Sequence, residues 1–275
     1  MAWHITGDVE EFLAGAGGFL RARPVQNTLM LTIAEAVRMQ GPHVYGPGDP
    51  VFGWHDGEDA AVLCTPPRAP VLSAMSPDAA ASLAELLDAD LPGVSGPDVA
   101  VDAFVARWRR RTGRAAKVHG RQRLYRLGEL APPTPQPPGE AKVAGARDRD
   151  LLVEWTAAFF REVGEDDPEV AQFVDARLSY GGVLVWETGG APVSMASLTR
   201  PESGMVRVQA VFTPPQHRGR GYAGAVTAAI SRAARDAGAT EVVLFTDLAN
   251  PTSNALYQRL GFIPLEDRTM VEFAS

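Results

Sequence analysis

VQAVFTPPQHRGRGYAGAVTAAISRAARDAG, Val208 to Gly238, is the stretch whose reading decides the fold. A strand-like run ends at Phe212, and Thr213-Pro214-Pro215 turns the chain. Gln216-His217-Arg218-Gly219-Arg220-Gly221 then opens a helix. Its apolar positions recur at Ala223, Val226, Ile230, Ala233, Ala234 and Ala237, and Gly238 stops it. A glycine-bearing loop at a helix start is an anion site, because the first helical N–H groups have no acceptor inside the helix and the helix dipole is positive there. Gly219 and Gly221 let the backbone approach a phosphate and accept positive φ, while Arg218 and Arg220 add charge. The physical reading is pyrophosphate binding by backbone amides.

Other phosphate motifs fit less well. A P-loop needs G-K-[ST], which is absent here. Gly219, Gly221 and Gly224 do fit G-x-G-x-x-G, with Asp247 as the acid near the next strand end, so a dinucleotide site stays open as an alternative.

The hexapeptide 216–221 matches the Q/R-x-x-G-x-G/A signature and resembles the GNAT superfamily of N-acetyltransferases. A second stretch, LFTDLANPTSNALYQRLGF from Leu244 to Phe262, resembles the family's next strand, loop and helix, ending in Y-x-x-L-G-F. The resemblance covers 142–275. It implies a fourth and a fifth strand that splay apart around acetyl-CoA. The pyrophosphate would lie on Gln216, Arg218, Gly219, Arg220, Gly221, Tyr222 and Ala223. The pantetheine arm would run along the backbone of Val211, Phe212 and Thr213, with Asn250 and Asn254 as further cofactor contacts. Tyr257 matches the position whose hydroxyl serves the departing CoA thiolate.

The chemistry so implied is direct attack of a neutral amine on the thioester, which needs a proton acceptor for the amine and a donor for the sulfur. Some relatives carry a glutamate on the fourth strand as the base. Here Met205 to Val211 has no carboxylate, and Gln209 could orient substrate or a water but not act as a base. Glu162, Glu165, Asp166 and Asp247 stay open as bases, and each also reads as a surface charge or a cap. Tyr257 also reads as a packing tyrosine, Asn250, Ser253 and Asn254 as helix caps, and His217 as a solvent-facing loop residue. A non-catalytic acyl-CoA-binding module is the second function consistent with these residues.

The bulk properties exclude other classes. The chain has 275 residues, 45% hydrophobic and 21% charged, with formal net charge −7, which disfavours nucleic acid as a partner. Nine basic residues and no acid lie between Arg107 and Arg126, but they alternate with core-type residues and read as a solvated helix end followed by a strand. A single cysteine, Cys64, rules out an internal disulfide, and five histidines without metal spacing argue against a metal site. The first residues, MAWHITGDVEEFLAGAGG, lack a basic, apolar leader pattern, and no apolar run is long enough for a membrane helix, so a cytoplasmic protein with no membrane partner is expected. The expected acceptor is a small-molecule amine, and the expected state a monomer or homodimer.

Five prolines in APPTPQPPGE, residues 131–140, mark an extended, semi-stiff linker. The expected organisation is an accessory, degenerate GNAT-like domain at 1–130 and a catalytic domain at 141–275. The fold class is α/β (α+β), with mixed, mostly antiparallel sheets flanked by helices. In the first half the pattern predicts helices over 25–39, from Pro77 with Ser76 as cap, and over 97–111. It predicts strands over 51–54, 60–64, 70–75 and 123–127. In the second half it predicts helices over 150–162, 168–178, 221–237 and 252–260. Strands are predicted over 142–144, 182–187, 192–199, 205–212 and 241–246, with a hairpin at Gly189-Gly190.

Overall fold

The computed structural model describes residues 2–164 and 169–274. Its elements run β1 (Trp3–Thr6), α1 (Val9–Ala22), α2 (Thr28–Gln40), β2 (Val51–His55), β3 (Ala61–Cys64), β4 (Val71–Leu72), α3 (Pro77–Leu86), β5 (Gly93–Pro97), α4 (Asp98–Thr112) and β6 (Ala116–Leu127). They continue with β7 (Glu140–Val143), α5 (Arg149–Glu162), α6 (Val170–Leu178), β8 (Val183–Thr188), β9 (Ala191–Leu198), β10 (Met205–Phe212), α7 (Tyr222–Asp236), β11 (Glu241–Asp247), α8 (Pro251–Arg259) and β12 (Phe262–Phe273). The expected α/β class, with helices flanking mostly antiparallel strands, is what is found.

The chain forms two compact units: 1–124 with 246–250 and 265–275, and 125–245 with 251–264. The final strand is thus divided, its last residues grouping with the N-terminal unit, and the proline-rich 131–140 belongs to the second unit.

In the first unit the strand order is β1-β2-β3-β4-β5-β12. All of these pairs are antiparallel except β4 with β5, which meet in parallel at Val71↔Ser95. Ser76 caps α3, its hydroxyl accepting from Ala79 N at 3.1 Å, as the Ser-Pro pair predicts. Trp108 and Phe273 stack at 3.6 Å between centroids inside this core. Several features depart from the sequence pattern: β1 and β5 are strands where none is predicted, and β6 begins at Ala116, well before the predicted 123–127. The expected strand 70–75 is only two residues long, because beyond Leu72 the Ser73 hydroxyl takes the Ala61 N–H at 2.8 Å and ends the ladder. The glycine-rich start, for which the pattern predicts no element, contains the fourteen-residue helix α1. Asp8 caps it, and Gly15 leaves room for the Trp54 ring, which a β-carbon there would strike.

In the second unit the order is β6-β11-β10-β9-β8-β7, β6 entering only with its end from Tyr125 on, since Ala116–Leu124 groups with the first unit. The β8–β9 hairpin turns on Gly189 and Gly190, at φ 59° and 80°, the left-handed pair a two-residue turn needs. β10 and β11 pair in parallel, while β7–β8, β8–β9 and β9–β10 are antiparallel. The α7 face of the sheet buries Val206, Val208, Leu244, Val226 and Ile230, while the opposite face packs Trp155 and Leu152 of α5 and Val174 of α6 against Met195 and Phe212. Each such side chain contributes about 1.5–3 kcal/mol on burial. The expected helix 168–178 begins at Val170; its first predicted residue lies outside the described residues.

Candidate active site

The site is built around the end of β10. Its parallel ladder with β11 comprises Met205↔Glu241 through Val208↔Leu244. Its antiparallel register with β9 shifts between Gln209 and Phe212, and Ala210 sits at φ 45°. This is a β-bulge, and a bulge bends its strand and re-aims the residues beyond it. A non-glycine residue at positive φ costs about 1–3 kcal/mol unless its surroundings hold it there. Two serines of β9 supply that support. Ser197 Oγ donates to Gln209 O at 3.1 Å. Ser194, fully buried, bonds Phe212 O at 3.0 Å and shares a hydrogen bond with Thr213 Oγ1 at 2.8 Å. Carbonyls displaced from the ladder by the bulge are thus satisfied by hydroxyls.

Beyond Thr213 a short 3-10 turn, Pro215–His217, leads into the loop. Gly219 and Gly221 stand at φ 74° and 83°, so both glycines are demanded by the backbone. A β-carbon at Gly219 would meet nothing within 4 Å, leaving open space over the loop. Gly221 is the left-handed N-cap of α7 and offers no side-chain oxygen, so the amides of Tyr222, Ala223 and Gly224 lack an internal acceptor. Gln216, Arg218, Gly219, Arg220 and Gly221 are exposed, Ala223 is half-buried and Tyr222 is buried. Arg218 does not stand free: Nε donates to Thr213 O at 2.8 Å, and Nη2 pairs with Glu162 Oε1 at 2.5 Å. Its guanidinium also lies 5.8 Å from the Phe212 ring centre. Arg218 therefore ties the loop to the end of β10 and to α5, and Glu162, one of the open bases, serves as its anchor.

The proline-rich segment lies against this helix start. Ala131 N bonds Leu260 O at 3.0 Å at one end, and Pro138 O accepts from Trp186 Nε1 at 2.9 Å at the other. Between them, Pro133 Cγ would stand 3.3 Å from a β-carbon at Gly224, and Pro137 Cγ 3.7 Å from one at Gly221. Composition marks these prolines as extended chain; it carries no signal that they line the loop.

Tyr257 of α8 is buried in the same core, edge-on to Phe262 at 6.0 Å. Its hydroxyl has no hydrogen-bond partner among the described residues, and burial pushes its pKa up to about 12. It therefore holds its proton at neutral pH and is available as a donor. Asn254, one turn earlier, accepts from Tyr125 OH at 2.8 Å, and Gln258 Nε2 donates to the same hydroxyl at 3.1 Å, so these amides hold α8 to β6. Asn250 and Asp247 group with the first unit; Asn250 N bonds Asp247 O, and Asp247 Oδ1 accepts from Ala249 N at 2.8 Å, a turn-forming role. Glu165 and Asp166 lie outside the described residues. Among the described residues no cluster has metal-binding composition, and no helix is long and apolar enough to cross a membrane.

Residues 149–262 match the acetyltransferase (GNAT) family. The probable N-acetyltransferase family 8 member 5 of Mus musculus is 34% identical over 82 residues, covering 30% of this chain and 35% of that relative's length. The fold is shared more widely. A Drosophila protein of known structure superposes with TM-score 0.70 at 14% identity, covering 99% of this chain and 98% of that one. A GCN5-related N-acetyltransferase from Sphaerobacter thermophilus does so with TM-score 0.64 at 15% identity, covering 98% and 94%.

Proposed function

We propose that residues 149–262 form a GNAT domain that transfers an acetyl or other short acyl group from CoA to an amine, with the cofactor in the gap where β10 leaves β11. The observation that carries this reading is the Gly219–Gly221 loop: two left-handed glycines, open space over Gly219, and amides at the start of α7 with no acceptor inside the helix. Those amides and the helix dipole suit a pyrophosphate. The exposed guanidinium of Arg220 adds positive charge, and Val211, Phe212 and Thr213 offer backbone to the pantetheine arm. Acetyl-CoA supplies the activated acyl group when bound.

In the reaction, the neutral amine nitrogen attacks the thioester carbonyl. The C–N bond forms, the C–S bond breaks and its electron pair leaves on sulfur, and the amine's surplus proton passes to water. Tyr257 acts on the leaving side, donating its phenolic hydrogen bond to the thiolate. The first unit, residues 1–124 and its C-terminal additions, serves as an accessory domain.

Calorimetric titration of the full chain with acetyl-CoA, with NADH and ATP as controls, tests this. Binding of acetyl-CoA alone, lost in Gly219→Val, is the expected result; binding of NADH instead would establish the dinucleotide alternative. A non-catalytic acyl-CoA module remains the second reading, favoured by the lack of a carboxylate on β10. It gives the same binding with no thiol release for any amine.

A further inference from the structure

Gln209 occupies the last position of β10 before the bulge at Ala210, one residue beyond the end of the β10–β11 ladder. Its side chain is held from α6. Arg177 Nη2 donates to Gln209 Oε1 at 2.8 Å, and Arg177 Nη1 donates to Phe173 O at 3.0 Å. The guanidinium carbon lies 3.2 Å from the centre of the Phe173 ring, which fixes its plane.

This contact settles which way the Gln209 amide faces. A guanidinium carries five N–H donors and no acceptor, so it meets only the oxygen end of an amide. With Oε1 bound to Arg177, the Nε2 end presents its two hydrogens on the other side. Nε2 has no hydrogen-bond partner among the described residues and is not among the buried side-chain atoms left without one, so it remains reachable from solvent. An oriented N–H donor cannot accept a proton from an ammonium. It can bind a lone pair, and carbonyl and carboxylate oxygens supply one.

Resting on the transferase reading above, we propose that Gln209, oriented by Arg177, is a specificity-determining residue that donates from Nε2 to a carbonyl or carboxylate oxygen beside the acceptor amine. The acceptors are then amines of the amino-acid or peptide N-terminal kind, in preference to plain alkyl amines. Arg177 is a positioning residue in this scheme, acting only through the amide it holds.

The test uses the full chain and two acceptors that differ in one group, phenylalaninamide and phenethylamine. Acetyl-CoA binding is measured first by calorimetry, then thiol release with each amine. Comparing the ratio of their kcat/KM values between variants cancels the difference in amine basicity. Gln209→Leu removes the donor. Gln209→Glu keeps the shape and the Arg177 partner but replaces the N–H donor with oxygen. Both variants are expected to lower the ratio about tenfold, the worth of one well-made hydrogen bond at about 1.4 kcal/mol. The loss falls on KM for phenylalaninamide, while phenethylamine KM and acetyl-CoA affinity stay within about twofold, which also shows that the variants are folded. Arg177→Met is expected to give a smaller fall in the same ratio. An unchanged ratio in both Gln209 variants overturns the proposal, as does wild-type protein that binds acetyl-CoA yet releases no thiol with either amine. Failure of the wild type to bind acetyl-CoA overturns the transferase reading instead.

Discussion

Leu256 of α8 stands against the backbone of Gly224 on α7: a β-carbon built at Gly224 would lie 3.2 Å from Leu256 Cδ1 and 3.3 Å from Pro133 Cγ. The helix carrying Tyr257 and the proline-rich strap therefore both close on the start of α7 through the absence of one side chain. Alanine at 224 needs a shift of only a few tenths of an ångström, and its helix propensity, better by about 1 kcal/mol, offsets that crowding. Gly224→Leu cannot be so absorbed. It is expected to cost about 1–3 kcal/mol, read as a lowered denaturation midpoint, with weakened acetyl-CoA binding because the strap and α8 are displaced.

Gly219 differs, because the space around its absent side chain is open. Replacement there strains the backbone at φ 74° without a clash, a cost of about 1–2 kcal/mol. If the loop amides hold a pyrophosphate, Gly219→Val also places a branched side chain over them. Acetyl-CoA affinity is then expected to fall by more than about tenfold, a loss above 1.4 kcal/mol, with only a modest drop in melting temperature. Equal affinity in mutant and wild type would place the cofactor elsewhere.

How much of the fold and site is legible in the sequence depends on whether the cause is local. The α7 loop is readable because glycine φ, helix-terminal amides and the α7 stripe all act within a few residues. Ser76-Pro77 and Gly189-Gly190 are readable for the same reason. The α1 helix is hidden because Gly15 answers to the Trp54 ring, which only tertiary structure brings to it. Ser194 and Ser197 look like ordinary strand serines; their role exists only because the bulge at Ala210 displaces the carbonyls they bind. The strap is not legible because proline content marks an extended chain but not where it docks. The division of β12 between the units likewise reflects strand partners remote in sequence, with Arg268–Glu272 pairing Gly93–Pro97.

The first unit offers its own test. At the start of α3, the Ser76 hydroxyl accepts from Ala79 N at 3.1 Å and donates to Glu58 Oε1 at 2.7 Å. The helix end that would attract an anion is already capped, and a carboxylate stands beside it. A second CoA would have to displace the cap and face that negative charge. Titration is therefore expected to give one acetyl-CoA per chain; a stoichiometry of two would show that the first unit is not degenerate.

Tyr257 links stability and chemistry through one proton. Its pKa is raised from 10 in the unfolded chain to about 12 in the fold, by burial. A raised folded-state value means the native state keeps its proton where the unfolded state has lost it. The associated stability is full below pH 10 and is lost as pH rises through about 12. Unfolding free energy of the wild type is thus expected to decline more steeply than that of Tyr257→Phe between these limits, the difference reaching at most about 2–3 kcal/mol at about 1.4 kcal/mol per pH unit. If Tyr257 serves the leaving thiolate, Tyr257→Phe also lowers kcat by about 10²- to 10⁴-fold with acetyl-CoA affinity retained. The wild-type kcat profile then shows no tyrosine ionisation below pH 10, since the phenol stays protonated there. Undiminished kcat in Tyr257→Phe, with the stability difference intact, would assign this residue to packing alone.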